Sequence, residues 1–359
     1  PQGGRLLPMG EAHAGQTAAL AGLSARPGER IGDGFGLEAP ETVPLMSVQV
    51  EPTAPLTQSA LLAHLREMEE EDPLLSVRPE ADGVSVGVMG AVQVEVLQGI
   101  LAARFGDVVR MCPPHVLYKE TIAAPVVGIG HYEPLRHYAE VWLKLEPGAP
   151  GSGISFAADC PPNSLDENWQ RLIRTHVFER AHPGVLTGSP LCDVRIRLSA
   201  GRAHLKHTEG GDFREATCRA IRNALMQAEN VLLEPVVRFE LAMPNEALAR
   251  VTGELLRIGA QLDASETDGG ETTLTGRCTA AMFWDYPTRF AASTHGHGRI
   301  ASRFDRYEPC KNQDDIVRQS GYDPLADTLN PPGSVFCSHG AGFYVAWDYV
   351  REWAHCEVE

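Results

Sequence analysis

Between residues 46 and 112 the hydrophobic period switches between 2 and 3.6 in the order strand, helix, strand, strand, helix, strand, and between 235 and 307 that order returns. Each helix and each sheet must hide one apolar face. A βαββαβ order achieves this by laying both helices on one side of a four-stranded antiparallel sheet, the ferredoxin-like unit. The first unit reads as strand Met46–Val50, helix Leu56–Glu70, strands Leu74–Val77 and Val84–Met89, helix Ala91–Phe105 and strand Val108–Met111. Its first helix carries Leu61, Leu65 and Met68 on one face and must stop before Asp72-Pro73, because proline disfavours helical backbone in its predecessor. The second unit reads as strand Val236–Met243, helix Asn245–Ile258, strands Gln261–Glu266 and Thr272–Arg277, helix Ala280–Ser293 and strand Arg299–Arg306. Asp268-Gly269-Gly270 supplies its hairpin turn.

Residues 113–230 follow another pattern. A strand near Tyr138–Leu145 and a helix around Asp166–Glu179 precede a β segment in which Val194, Ile196 and Leu198 alternate with Arg195 and Arg197 as far as Gly201. Asp212, with Glu215 three residues on, reads as a capping box that opens the next helix. His204–Gly211 is then a loop held at both ends. Three turns, Gly148–Gly153, Ala181–Pro190 and His204–Gly211, are expected to gather at one end of this unit. Residues 1–40 hold short alternating runs broken by Gly and Pro, read as the last strands of a β-barrel. Residues 311–359 form a tail ending in a short helix capped by Asp348, with Val350, Trp353 and Ala354 on its buried side.

From Arg195 to Arg222 seven Lys/Arg stand against three acids, in a chain of formal charge -16. A local positive island on an acidic protein suits an anionic partner met at one place, whereas the overall acidity argues against a general nucleic-acid coat. No apolar run approaches the roughly 20 residues of a membrane helix. Eight cysteines without CxxC spacing suggest reduced thiols in a cytoplasm. The opening Pro1-Gln2-Gly3-Gly4-Arg5 reads as the start of an excised piece.

No G-x-x-x-x-G-K-[ST] occurs, so the chain lacks the phosphate cradle of a P-loop. Cys337 and His339 could form a thiolate–imidazole pair, which makes a stand-alone Cys/His enzyme an open alternative. His295 and His297 lack the further partners that a structural zinc needs, and a loop after a helix is the better reading.

Three stretches, Asp72-Pro73-Leu74-Leu75, Gly87-Val88-Met89-Gly90-Ala91-Val92-Gln93-Val94-Glu95-Val96 and Tyr118-Lys119-Glu120-Thr121-Ile122, resemble the third domain of elongation factor G and its junction with the fourth. Gly188-Ser189-Pro190-Leu191-Cys192-Asp193-Val194 is similar to the factor's fourth-domain strand entry, Leu232-Leu233-Glu234-Pro235 to the opening of its fifth, and Thr294-His295-Gly296-His297-Gly298 to its Thr-Gln-Gly-Arg-Gly. Within that superfamily the Gly151-Ser152-Gly153 turn, Asp212-Phe213-Arg214 and the tail look closer to tetracycline-resistance ribosomal protection proteins.

The resemblance implies an α+β multidomain fold. Its parts are the end of a translation-factor β-barrel (1–42), a ferredoxin-like domain III (43–115), a domain IV related to ribosomal S5 domain 2 (116–231), a ferredoxin-like domain V (232–309) and a C-terminal extension (310–359). It further implies a cytoplasmic, monomeric translational GTPase whose partners are small-subunit rRNA at the decoding centre and the large-subunit factor site, with no membrane. GTP and Mg2+ belong to the whole protein; these residues alone should hold no cofactor, bind no metal and catalyse nothing. The rRNA-contacting residues carried over are Arg202, His204, Leu205, Lys206, His207, Thr208, Glu209 and Gly210, with Ser152 and Gly153. Protection proteins carry Ser-Pro-Val-Ser-Thr-Pro in that loop, where this chain has Leu205-Lys206-His207-Thr208-Glu209-Gly210. An elongation factor G paralogue with another translational role is the alternative.

Overall fold

The computed structural model describes residues 44–80 and 83–356, with 9–16, 19, 22 and 27 before them. The expected β-barrel strands therefore lie for the most part outside the described residues.

The first unit contains β1 (Met46–Pro52), α1 (Gln58–Glu71), β2 (Arg78–Glu80), β3 (Gly83–Val88), α2 (Ala91–Phe105) and β4 (Val109–Val116). The sheet order is β2-β3-β1-β4, antiparallel throughout, as a ferredoxin-like unit requires. Thr57 caps α1 by accepting from the Ala60 N–H, and Leu61, Leu65 and Met68 turn inward from the helix. The helix ends at Asp72, as its proline neighbour dictates. Leu74–Val77 is not a strand. Pro73–Leu75 forms a 3-10 turn, because the Asp72 side chain accepts from the Leu74 N–H and folds the chain back, and the strand starts only at Arg78.

Next come β5 (Lys119–Ile122), β6 (Val126–Tyr132), β7 (Ala139–Pro147), β8 (Ile154–Ala158), α3 (Glu167–Phe178), β9 (Val194–Ala203) and α4 (Gly210–Gln227). The second ferredoxin-like unit follows: β10 (Asn230–Pro244), α5 (Leu248–Arg257), β11 (Gln261–Asp268), β12 (Glu271–Thr279), α6 (Ala280–Phe283), α7 (Tyr286–Ser293) and β13 (Arg299–Pro309). Its order, β11-β12-β10-β13, repeats that of the first unit in a separate sheet. The single helix expected over Ala280–Ser293 is two, with Pro287 in the first turn of the second. β5 pairs with the start of β10, so one long strand runs out of the middle unit into this sheet.

The tail supplies α8 (Gln313–Ser320), β14 (Ser334–Ser338), β15 (Ala341–Val345) and α9 (Val350–Trp353). Its two strands join the middle unit's sheet, ordered β15-β14-β6-β7-β9-β8. Alternation along β6 explains how that sheet is covered on both faces. Gly128 and Gly130 face α4, where an added Cβ would stand 2.0 Å from the Ala220 carbonyl oxygen and 1.8 Å from that of Ala216. Ile129 faces the other way and packs with Trp142, Phe336, Val345 and Val350, so the tail closes the second face. Only Val350 of the expected buried trio of the last helix is buried; Trp353 is 49% exposed, and the helix begins after Tyr349 rather than at an Asp348 cap.

Candidate nucleic-acid interface

β9 delivers the chain to the loop at Ala203, and α4 takes it away from Gly210. The helix starts two residues before the expected cap. Asp212 lies at its third position, where its carboxylate accepts from the Glu209 N–H at 2.8 Å, and Glu209 is the residue before the helix. The buried Asp212 carboxylate also meets His137 Nδ1 at 2.8 Å. Within the loop the N–H groups of His207 and Thr208 both donate to the His204 carbonyl. The Thr208 hydroxyl accepts from the His204 N–H and donates to the Tyr138 carbonyl, each at 2.6 Å. Its backbone groups thus bonded, the loop leaves Leu205, Lys206 and His207 projecting, with Leu205 fully exposed. The rings of His204 and His207 stack at 4.6 Å.

Arg197, Arg214 and Arg219 of the positive island pair with Asp159, Glu179 and Glu215. Arg222 is buried against the Gly184 carbonyl and the Tyr322 hydroxyl. Among the described residues Arg202 and Lys206 make no ion pair and stand at the loop, while Arg195, exposed and likewise without one, lies toward the far end of β9 opposite Glu146.

Strand register decides which other turns share this end. Ala139 stands opposite Ala203 and Pro147 opposite Val194, so β7 leaves the loop end and reaches the far end about 25 Å away. Ser152 and Gly153 follow β7 and therefore lie at that far end, where the Asp193 carboxylate accepts from the N–H groups of Gly151 and Gly153. Ala181–Pro190 is also there, tied to Glu120 and Leu191 ahead of β9. The three turns do not cluster, and Ser152 and Gly153 are separated from the other eight residues. In their place, the loop end gathers residues 133–138 between β6 and β7 and residues 159–166 between β8 and α3, because β8 runs parallel to β9 with Ala158 opposite Leu198.

The tail is the part that sequence reasoning missed most. His355 lies beside the loop, its ring parallel to that of Tyr138 at 5.8 Å and edge-on to His131 at 4.7 Å. Its backbone N–H and that of Cys356 both end on the buried Glu140 carboxylate, at 2.8 and 2.7 Å. His131 Nδ1 and Trp142 Nε1 complete four contacts to the same carboxylate. Burial pushes the Glu140 carboxyl up, but these contacts, led by His131, outweigh it and hold the group down at about 2. Burial also pushes the Tyr138 phenol up, and its oxygen lies within hydrogen-bond distance of His355 Nδ1, at 3.1 Å. The imidazole of His355 is lowered by burial and by neighbouring His131.

His131, Glu140 and His355 stand close enough to suggest a metal site. The Glu140 oxygens are already saturated with donors, however, and the network reads as a structural clasp. Cys337 and His339 do not pair. Cys337 donates its N–H to Glu133 from β14, while His339-Gly340, at φ 52° and 80°, forms the two-residue turn to β15; among the described residues no hydrogen bond joins them. A depression of about 510 Å³ on the second ferredoxin-like sheet contains Arg238, Asp263 and Arg303, and Asp263 there is engaged by Arg277.

Residues 114–229 match the family model for elongation factor G, domain IV, and residues 231–316 match that for the elongation factor G C-terminus. The chain thus carries one domain of the elongation factor G domain IV family and one of the elongation factor G C-terminus family. A crystal structure of a protein from Thermus thermophilus is similar, with 25% identity and a TM-score of 0.65. The match covers 77% of this chain and 43% of that one, so the chain spans less than half the length of the solved protein. Domain IV here is the unit bearing the loop, its sheet extended by the tail. No described helix is long and apolar enough to cross a membrane.

Proposed function

We propose that the chain is the ribosome-binding portion of an elongation-factor-G-like translational GTPase, and that the domain IV loop His204–Glu209 carries it onto small-subunit rRNA at the decoding centre. The observation that carries this reading is the loop itself, a braced turn that projects Lys206 and His207 beside the unpaired Arg202, while Arg197, Arg214 and Arg219 are held in ion pairs. Phosphate contacts position such a protein, and unstacked bases rest on rings. GTP and Mg2+ belong in this reading to a domain outside these residues, as does contact with the large-subunit factor site. The protein works as a monomer in the cytoplasm.

Within this function we favour a tetracycline-resistance protection protein, which dislodges drug from near the decoding centre, over a paralogue with another translational role. Asp212-Phe213-Arg214 and the docked tail support it; the Leu-Lys-His loop favours the paralogue. Pelleting with ribosomes tests the general reading, which requires Lys206→Ala with His207→Ala to weaken association. Drug susceptibility of cells carrying the full-length gene separates the two finer ones. Unchanged susceptibility selects the paralogue.

A further inference from the structure

The loop does not stand alone at its end of domain IV. Between it and the tail lies an open cleft of about 710 Å³, lined by Tyr138, Arg202, His204, Leu205, Lys206 and His355. Its volume falls in the roughly 300–1,000 Å³ range of small-ligand sites. Its openness to solvent suits one unit of a longer chain better than an enclosed metabolite.

Three kinds of group meet there. His355 offers an imidazole face whose orientation is fixed from behind, by the Tyr138 ring and phenol and by the Glu140 anchor of its own backbone. Leu205 adds an apolar side chain that covers nothing in the protein. Arg202 and Lys206 add cations, and one Arg202 nitrogen donates to the His355 carbonyl at 3.2 Å, which joins loop strand and tail across the cleft floor. A flat ring linked to a phosphodiester matches this set: the base against His355 and Leu205, and the phosphate toward Arg202 and Lys206. Single-stranded nucleic acid is held in this way by stacking and charge together, whereas a duplex keeps its base faces hidden.

The geometry points to a binding cleft for one unpaired RNA nucleotide, shared between the domain IV loop and the C-terminal tail, with His355 as its stacking platform. This deepens the ribosome-binding reading and rests on it for the identity of the RNA. It also gives the tail a contact role.

The test uses the full chain and fluorescence anisotropy with a short labelled oligouridine, a duplex containing the same strand, and an abasic oligomer of equal length. The single strand should bind more tightly than the duplex. His355→Ala should weaken the single strand by about fivefold to over a hundredfold, the span of stacking on one base, and leave the abasic oligomer within about twofold. His355→Phe should restore binding, since it keeps a ring. Arg202→Ala should weaken the single strand and the abasic oligomer alike. Equal loss for both oligomers with His355→Ala, no loss at all, or equal competition by oligoglutamate overturns the cleft. Thermal melts of each variant exclude unfolding as the cause. Ribosome pelleting in parallel separates the two readings. If Lys206→Ala with His207→Ala impairs pelleting while His355→Ala is silent in every assay, the cleft falls and ribosome binding stands; His355-dependent oligouridine binding with all pelleting unchanged has the opposite meaning.

Discussion

The Glu140 carboxylate accepts the His355 backbone N–H at 2.8 Å across 215 residues of chain. One buried anion on a central strand of domain IV thereby fixes where the tail ends and which ring faces the loop. Glu140→Ala removes the acceptor of four donors and should destabilise the protein by about 3–5 kcal/mol, the usual range when one partner of a buried charged network is lost. Denaturant unfolding measures that loss. Limited proteolysis should show cleavage around residues 346–356 before global unfolding.

The same carboxylate sets an acid limit. Its pKa is lowered from 4.5 to about 2, so its contribution is complete above pH 4.5 and disappears as pH falls toward 2. The difference corresponds to about 3 kcal/mol. Urea midpoints should therefore fall between pH 5 and 3 more steeply in the parent protein than in Glu140→Gln, measured at matched ionic strength. Parallel curves would remove Glu140 as the acid-sensitive group.

Lys206→Ala should lower the salt dependence of ribosome binding by about one counterion, as expected for one phosphate contact. His207→Ala should instead reduce affinity at every salt concentration by the equivalent of about 1–3 kcal/mol without changing the slope. Pelleting assays across a salt series distinguish the two. A His207→Ala variant with parent affinity would confine that ring to its stack on His204.

Asp212→Ala removes both the acceptor for the Glu209 N–H and the partner of His137. A lost cap costs about 0.5–2 kcal/mol, and burial places this variant at the upper end. The melting temperature should drop, and hydrogen exchange should rise in residues 204–214 more than in the second ferredoxin-like unit.

Gly130→Ala drives a methyl into the Ala216 carbonyl of α4, which backbone cannot yield locally. Domain IV should lose cooperative unfolding, read by near-UV circular dichroism of Trp142 and Trp169, while a Gly99→Ala control, with open space around its Cβ position, keeps it.

The sequence by itself determined the two ferredoxin-like units, since their periodicities are local and each helix must cover the strands beside it. α2 falls at Ala91–Phe105 in both readings, bounded by a Gly106 whose φ of 73° ends the helix. The sequence also located the loop, between an alternating strand and a capped helix. It could not place Ser152 and Gly153, because which end of a sheet a turn occupies depends on strand direction and register, and pattern alone states neither. Nor could it place His355. Short strands such as Ser334–Ser338 and Ala341–Val345 carry little periodic signal, and they became strands only when β6 offered an open edge and an apolar face to cover. The loop was therefore legible as a feature of the chain. Its partnership with the tail was decided by tertiary structure, where burial of Glu140 made the last residues the nearest donors to a carboxylate that could not remain unpaired.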